Sequence, residues 1–334
     1  MVNKNSNRIQ IDVVFTWVDS NDPVHINKMI PYLENTTNSL SNKHFKTGFD
    51  QVNEIEYSIN SIISFAPFIR KIFIVTDNQT PSFLEKYNRT RLNSQPEIEV
   101  VDHKSIFGEY NSILPVFNCR PIESMLFNIE DLSEFFVYFN DDFFLIKPTE
   151  PSDFFREGTP VLRGKWTKFD EQIWYKQLHQ FIVSVFGGKS KKNKYGYKRG
   201  QQKSAKILGL NKYLKINHGP APMRKSTLKN YFEANPDILS QNVLHRFRNP
   251  IQYVLQSLAN HIEIVNNTYF LERDLKVVFF RSYKWPLYFY KLKLKFVQSN
   301  RNKLFMCMQS LDLCPRTKKD YLLNWLKSNT KRKY

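Results

Sequence analysis

Residues 135–148 read FFVYFNDDFFLIKP and set Asn140, Asp141 and Asp142 between two runs of large apolar residues. Two adjacent carboxylates repel each other, and burying either is costly unless a positive group answers it. Hard carboxylate oxygens suit Mg²⁺ or Mn²⁺, which bind through one or two carboxylates together with substrate phosphates. The plainer alternative is a turn between two strands with both acids in water. His218 lies in NHGPAPMRKS, where Gly and Pro stiffen the loop around it. An imidazole with an ordinary pKa of about 6.5 suits general acid–base work, although a loop histidine can equally be incidental. HRFRNP (245–250) offers Arg246 and Arg248, either as a phosphate clamp or as partners in a surface ion pair. Cys119 has no identifiable base nearby, and the histidines and cysteines show no zinc spacing.

The elements that must carry these residues follow from the hydrophobic pattern. IDVVFTWVD (11–19), IRKIFIVTDNQTP (69–81), PEIEVVDH (96–103) and EFFVYFNDDFF (134–144) are apolar runs that end in acids, and each predicts a buried strand. Between them, Ile55, Ile59, Ile62 and Ile63 recur at helical spacing, as do Ile122, Met125, Leu126 and Ile129. Such alternation predicts an α/β sheet with helices on its faces. Strands of that kind bind ligands beyond their C-terminal ends. Asp19, Asp77, Asp102, Asn140, Asp141 and Asp142 are therefore expected along one crevice, although a single strand-end Asp is often only a turn former. Residues 160–275 read as mostly helical, with loops around FGGKSKKNKYGYKRG and INHGPAPMRKS, and residues 276–334 as a basic, aromatic, helical region.

Composition narrows the classes. The chain has 334 residues, 41% hydrophobic and 15% aromatic, enough for a substantial core and too apolar for global disorder. Its three cysteines lack a disulfide-framework spacing, and no stretch reads as a secretory leader or a membrane span. A cytoplasmic protein is expected. The net charge of +18 favours polyanionic partners. Only ten glycines are present, and neither a phosphate-binding P-loop nor a dinucleotide fingerprint occurs. Phosphates must then be held by a metal and side chains. No nucleic-acid module is recognisable, and a nucleic-acid partner is not expected.

The acidic pair at a strand end resembles the metal-binding motif of nucleotide-sugar transferases. Four blocks, in order, resemble one family: IDVVFTWVDSNDP (11–23), NEIEYSINSIISFAPFIRKIFIVTDNQTPSFL (53–84), LPVFNCRPIESMLFNIEDLSEFFVYFNDDFFLIKP (114–148) and HGPAPMRKS (218–226). The family is the Stealth proteins, bacterial capsular and cell-wall polysaccharide phosphotransferases related to the animal GlcNAc-1-phosphotransferase. The resemblance implies a Rossmann-like nucleotide-sugar transferase sheet with a mostly helical second half, and a Stealth-type catalytic domain over 1–275 (α/β core 10–150) followed by the C-terminal region 276–334. It implies catalytic roles for His218, Asp141, Asp19 and Arg248, a metal at Asp141 and Asp142, and donor binding by Trp17, Asp77, Asn118, Arg120, Glu123 and Asn140. The second block departs from the family pattern in lacking an arginine near Asp50, for which Arg120 and Lys71 are the candidate substitutes.

The implied reaction moves a sugar-1-phosphate from a UDP-sugar to a glycan hydroxyl, with Mg²⁺ or Mn²⁺ as cofactor. It forms a phosphodiester and releases UMP. Two other readings stay open: a conventional glycosyltransferase that releases UDP, and a non-enzymatic basic protein binding membrane or nucleic acid. A lipid-linked acceptor and peripheral contact with an anionic membrane would give the basic C-terminal region a partner, with Trp285, Tyr288, Phe289 and Tyr290 at the interface.

Overall fold

The computed structural model describes residues 9–33, 52–175, 177–178 and 196–331. The basic run 189–195 and the position near Asp50 fall outside the described residues. The apolar runs become strands β1 (Ile11–Thr16), β2 (Ile69–Thr76), β3 (Glu97–Asp102) and β4 (Phe135–Phe139). Shorter strands follow: β5 (Phe143–Leu145), β6 (Phe155–Arg156), β7 (Thr159–Arg163), β8 (Lys165–Lys168), β9 (Lys212–Lys215), β10 (Ala221–Arg224), β11 (Phe270–Glu272), β12 (Val277–Phe280) and β13 (Phe305–Met308). The helices are α1 (Pro23–Met29), α2 (Glu54–Phe65), α3 (Leu84–Thr90), α4 (His103–Phe107), α5 (Cys119–Ser124), α6 (Tyr197–Ile207), α7 (Lys225–Ala234), α8 (Pro236–Val243), α9 (Leu255–Val265), α10 (Leu287–Ser299) and α11 (Arg316–Lys331).

The central five-stranded sheet runs β10-β4-β1-β2-β3. Strands β1 to β4 are mutually parallel where they pair, and β10 is antiparallel to β4. Both faces are covered, as a parallel sheet requires. Val13, Phe15, Ile72 and Ile74 point to one face and pack with Ile55, Ile59 and Ile62 of α2. Val14, Phe73, Val75, Phe136 and Tyr138 point to the other and pack with Leu228, Leu255 and Leu258 of α7 and α9. Each such burial contributes on the order of 2 kcal/mol against the unfolded chain. The regular structure of the second half is mostly helical, as expected.

Two features differ from the sequence expectation. The run 134–144 reads as one strand, yet it is broken by a turn in which Phe143 N–H donates to Asn140 O at 3.1 Å. Two acids cannot continue a ladder into the core, so the chain turns there. Beyond it, β5 leaves the central sheet and pairs with β13, which in turn pairs with β12. The region 276–334 thus carries strands β12 and β13 besides α10 and α11.

Candidate active site

Because β1 to β4 are parallel, residues past their C-terminal ends share one edge of the sheet: Trp17 and Asp19, Asp77, and the turn Asn140-Asp141-Asp142. The antiparallel β10 brings His218 to the same edge. Ala221 lies opposite Tyr138 near the end of β4, and His218 precedes Ala221 in the entering loop. The His218 ring centroid is 6.4 Å from that of Phe143, the residue after the acidic pair. On its other side the imidazole stacks on Tyr197 of α6 at 4.2 Å.

The half-buried His218 is held neutral. Burial pulls its pKa down to about 4, and Arg281 and Arg248 oppose protonation further. A neutral imidazole can accept a proton. Of the two arginines in HRFRNP, Arg248 acts electrostatically on His218, Arg120 and Cys119. Arg246 instead sits 4.5 Å over the Tyr32 ring and donates to Ser112 O. The loop is tied to the N-terminus of α5, where Phe117 N–H donates to Arg246 O at 2.7 Å and Asn118 Nδ2 donates to Gln252 Oε1 at 3.0 Å.

Helix α5 carries a buried polar row. Asn118 caps it by accepting from Arg120 N–H, and Arg120 Nη1 donates to Gln252 O. Glu123 accepts from Tyr138 Oη at 3.0 Å, and Tyr138 Oη lies 2.8 Å from Thr16 Oγ1. Burial raises the Glu123 carboxyl, partly offset by hydrogen bonds from Tyr138 and Gln256. Burial also pushes the Cys119 thiol up to about 12, which agrees with its exclusion as a nucleophile.

The acidic turn holds a buried carboxylate that is only partly answered. Burial raises the Asp142 carboxyl to about 6. Its Oδ2 accepts from the thiol of Cys307 at 3.4 Å, while its buried Oδ1 has no protein partner. Asp141 Oδ1 accepts from Asp142 N–H at 3.0 Å. Among the described residues no group of three or more His, Cys, Asp or Glu side chains is arranged to hold a metal ion. Two carboxylates alone would be a partial donor set, of the hard-oxygen kind that suits Mg²⁺ or Mn²⁺.

Beyond the ends of β1 and β2, Gln79 knits the loops together. It accepts from Asp19 N–H at 3.0 Å and donates to Asp19 O and to Asp22 Oδ2. Asp77 is ion-paired with Lys28 at 2.9 Å, and Asp102 caps α4. These acids share the edge with Asp141 and Asp142 but have local partners. The buried Trp17 Nε1 has none. Phe117 stacks on Phe247 and meets His25 edge-on, forming an aromatic wall beside this part of the edge. Lys71 is placed elsewhere: it lies near the start of β2 and pairs with Glu99 and Asp131.

Tyr197, Arg281 and Cys307 join the site without having been singled out. Arg281 follows β12 directly, so an apolar run ending in a polar residue, VVFFRS, was its available signal. Tyr197 lies among lysines, and Cys307 reaches the site only through β13 pairing with β5.

Comparison with known proteins identifies the family. Residues 10–37 match Stealth protein CR1, conserved region 1, and residues 48–161 match Stealth protein CR2, conserved region 2. The chain is 32% identical over 259 residues to the capsular polysaccharide phosphotransferase WcwK of Streptococcus pneumoniae, covering 72% of this chain and 74% of that protein. It is 31% identical, with the same coverage, to the receptor polysaccharide phosphotransferase WefC of Streptococcus oralis. A solved structure, the glycosyltransferase GlyE of Streptococcus pneumoniae TIGR4, aligns with a TM-score of 0.42 and 11% identity over 97% of this chain and 60% of that one. With the two conserved regions in place and relatives matched over most of their length, the chain belongs to the Stealth protein family.

Proposed function

We propose that the protein transfers a sugar-1-phosphate from a UDP-sugar to a hydroxyl of a glycan in capsular or cell-wall polysaccharide synthesis, releasing UMP. The observation that supports this reading is that His218, on which Arg248 acts electrostatically, and the Asp141-Asp142 turn share one sheet edge. The names of its relatives, capsular and receptor polysaccharide phosphotransferases, support it.

In this reading Asp141 and Asp142 would hold Mg²⁺ or Mn²⁺, which would supply charge neutralisation for the donor diphosphate. Neutral His218 takes the proton of the acceptor hydroxyl. The acceptor oxygen bonds to the phosphorus that bears the sugar, and the bond from that phosphorus to the bridging oxygen breaks. UMP leaves with the bridging oxygen. The sugar C1–O bond stays intact, so the anomeric configuration is retained. Arg248, backed by Arg120, offsets charge on the equatorial oxygens. Trp17, Asp19, Asp77, Asn118, Glu123 and Asn140 shape the donor side. Tyr197 covers one face of the His218 ring and keeps water from it.

We propose further that the acceptor glycan is lipid-linked and that the protein makes peripheral contact with an anionic membrane on its cytoplasmic side. No described helix is long and apolar enough to cross a membrane. The test is to incubate the protein with Mg²⁺ or Mn²⁺, a panel of UDP-sugars and capsular or cell-wall oligosaccharides, and to identify the nucleotide released. UMP is expected. UDP would assign the chain to conventional glycosyl transfer, and turnover without an added divalent ion would contradict the role given to the acidic pair.

A further inference from the structure

Helix α10 is apolar on two faces. Tyr290, Leu294 and Val297 face inward, packed with Phe280, Met306 and Trp325. Tyr290, expected from the sequence at a membrane interface, belongs to this core and donates to Ser282 O. Among the described residues no element covers the second apolar face. Phe289, Leu292 and Phe296 are 50%, 46% and 59% exposed, and their spacing of three and four places them on one outward stripe; Trp285, 63% exposed just before the helix, meets Phe289 edge-on at 5.5 Å and extends it. Such a continuous exposed stripe marks an interaction surface.

At the foot of the stripe is a pocket of about 300 Å³, lined by Phe279, Arg281, Trp285, Phe289 and Lys293 among others, with no acid in its wall. Arg281 lies over the Phe279 ring at 4.6 Å. Lys293 lies over the Phe280 ring at 4.3 Å and donates to Phe279 O, which leaves Nζ with further N–H donors. Residues 275–311 contain eight Lys and Arg and no Asp or Glu. A second copy of this +18 chain would bring like charge against this surface.

We propose that the pocket and the stripe form a phospholipid site: Arg281 and Lys293 hold the phosphate of an anionic lipid headgroup while Trp285, Phe289, Leu292 and Phe296 enter the acyl boundary. Aromatic and aliphatic side chains on one helical face, rimmed by lysines, match the chemistry of an interfacial helix. The site opens next to the catalytic edge. Phe280 O accepts from Gln309 N–H, and the neighbouring Met308 N–H donates to Asp142 O, so the end of β12 lies across β13 from the acidic turn. A lipid-borne acceptor would thus be delivered beside His218. This deepens the membrane contact named above, and its test uses no nucleotide sugar.

The experiment is vesicle flotation of the full chain with phosphatidylcholine alone and with added phosphatidylglycerol. Binding is expected only to the anionic vesicles, weakened about fivefold by Lys293→Gln, and more by Phe289→Ser/Phe296→Ser. Soluble glycerol phosphate at matched concentration should not release the protein, because the stripe supplies much of the affinity. Circular dichroism and the unfolding midpoint of each variant show that the fold is kept; if the double variant fails to fold, Trp285→Ser and Lys293→Gln carry the test. Equal binding to neutral vesicles, no binding to anionic ones, release by free glycerol phosphate, or folded variants binding like wild type would overturn the proposal. So would a dimer in sedimentation that the stripe variants dissolve. Donor turnover in solution is read separately, so a failed lipid site leaves the transfer reading standing.

Discussion

The thiol of Cys307 donates to Asp142 Oδ2 at 3.4 Å, across a contact made by residues 165 positions apart. The thiol is fully buried on β13 and occupies one carboxylate oxygen, while the other, the buried Oδ1, has no hydrogen-bond partner and in the proposed reaction faces the divalent ion. Cys307 is in this sense a positioning residue for the acidic pair. Partners of this kind typically alter metal affinity ten- to a hundredfold. Cys307→Val, close in volume, is expected to weaken Mn²⁺ binding by about tenfold, measured calorimetrically without donor, while Cys307→Ser retains a donor and loses less. Equal Mn²⁺ affinity in wild type and the valine variant would remove Cys307 from the account.

His218 is expected to titrate well below the ordinary histidine range. Among the described residues, Tyr197 and Phe143 flank its ring, and the charges that shift it are those of Arg281 and Arg248. Its folded pKa of about 4 means that it carries no proton at neutral pH and gains one only as the solution becomes strongly acidic. Proton NMR of the imidazole reads this directly, and Tyr197→Ala, which admits water to the ring, should move the value upward. A wild-type value of 6.5 or above would contradict the burial argument. His218→Ala is expected to lower turnover at least about a hundredfold.

Arg248 and Arg246 separate by role although only one residue lies between them. Arg248→Ala should reduce kcat/KM by about a hundredfold, since in the proposed reaction it removes a cation that offsets charge on the transferred phosphate. Arg246→Ala removes a guanidinium resting on Tyr32 and should change kcat/KM only severalfold. A reversed order in steady-state kinetics would place the phosphate on the Tyr32 side of the loop.

Acid stability should report the buried His261. Burial lowers its pKa to about 4; Nε2 accepts from Leu214 N–H at 2.9 Å and Nδ1 lies 2.6 Å from Ser257 O. The unfolded chain binds the proton more tightly, so this contribution is complete above about pH 6.5 and is lost as pH falls toward 4. The loss over that window is at most roughly 3 kcal/mol. Urea unfolding at several pH values should show a shallower acid slope for His261→Gln than for wild type. Parallel slopes would mean that His261 does not govern the acid limb.

Much of this molecule was legible from local pattern. Ile55, Ile59 and Ile62 all face the sheet because the 3.6-residue period and a single buried face leave no other solution. Four apolar runs ending in acids gave the parallel strands and the edge that carries Asp141 and Asp142. What escaped was non-local. Phe143–Leu145 reads as a continuation of β4, and only pairing with β13, some 160 residues later, draws it away. Cys307 and Arg281 reach the edge through that same pairing, and no nearby residue announces it. Lys71 looked like a spare cation in sequence, but β2 carries it at its start, away from the edge, where Glu99 and Asp131 neutralise it. Charge alone also said nothing of orientation: Tyr290 is core while Phe289 beside it is solvent-facing, because adjacent positions on a helix point about 100° apart.

The most direct test of the central claim follows the donor's phosphorus. A UDP-sugar carrying radiolabel in the phosphate next to the sugar is incubated with the protein, a divalent ion and acceptor glycan, and the label is traced. The account requires it to enter the glycan as a phosphodiester while unlabelled UMP appears. Label recovered in UDP, with sugar alone joined to the acceptor, would contradict it.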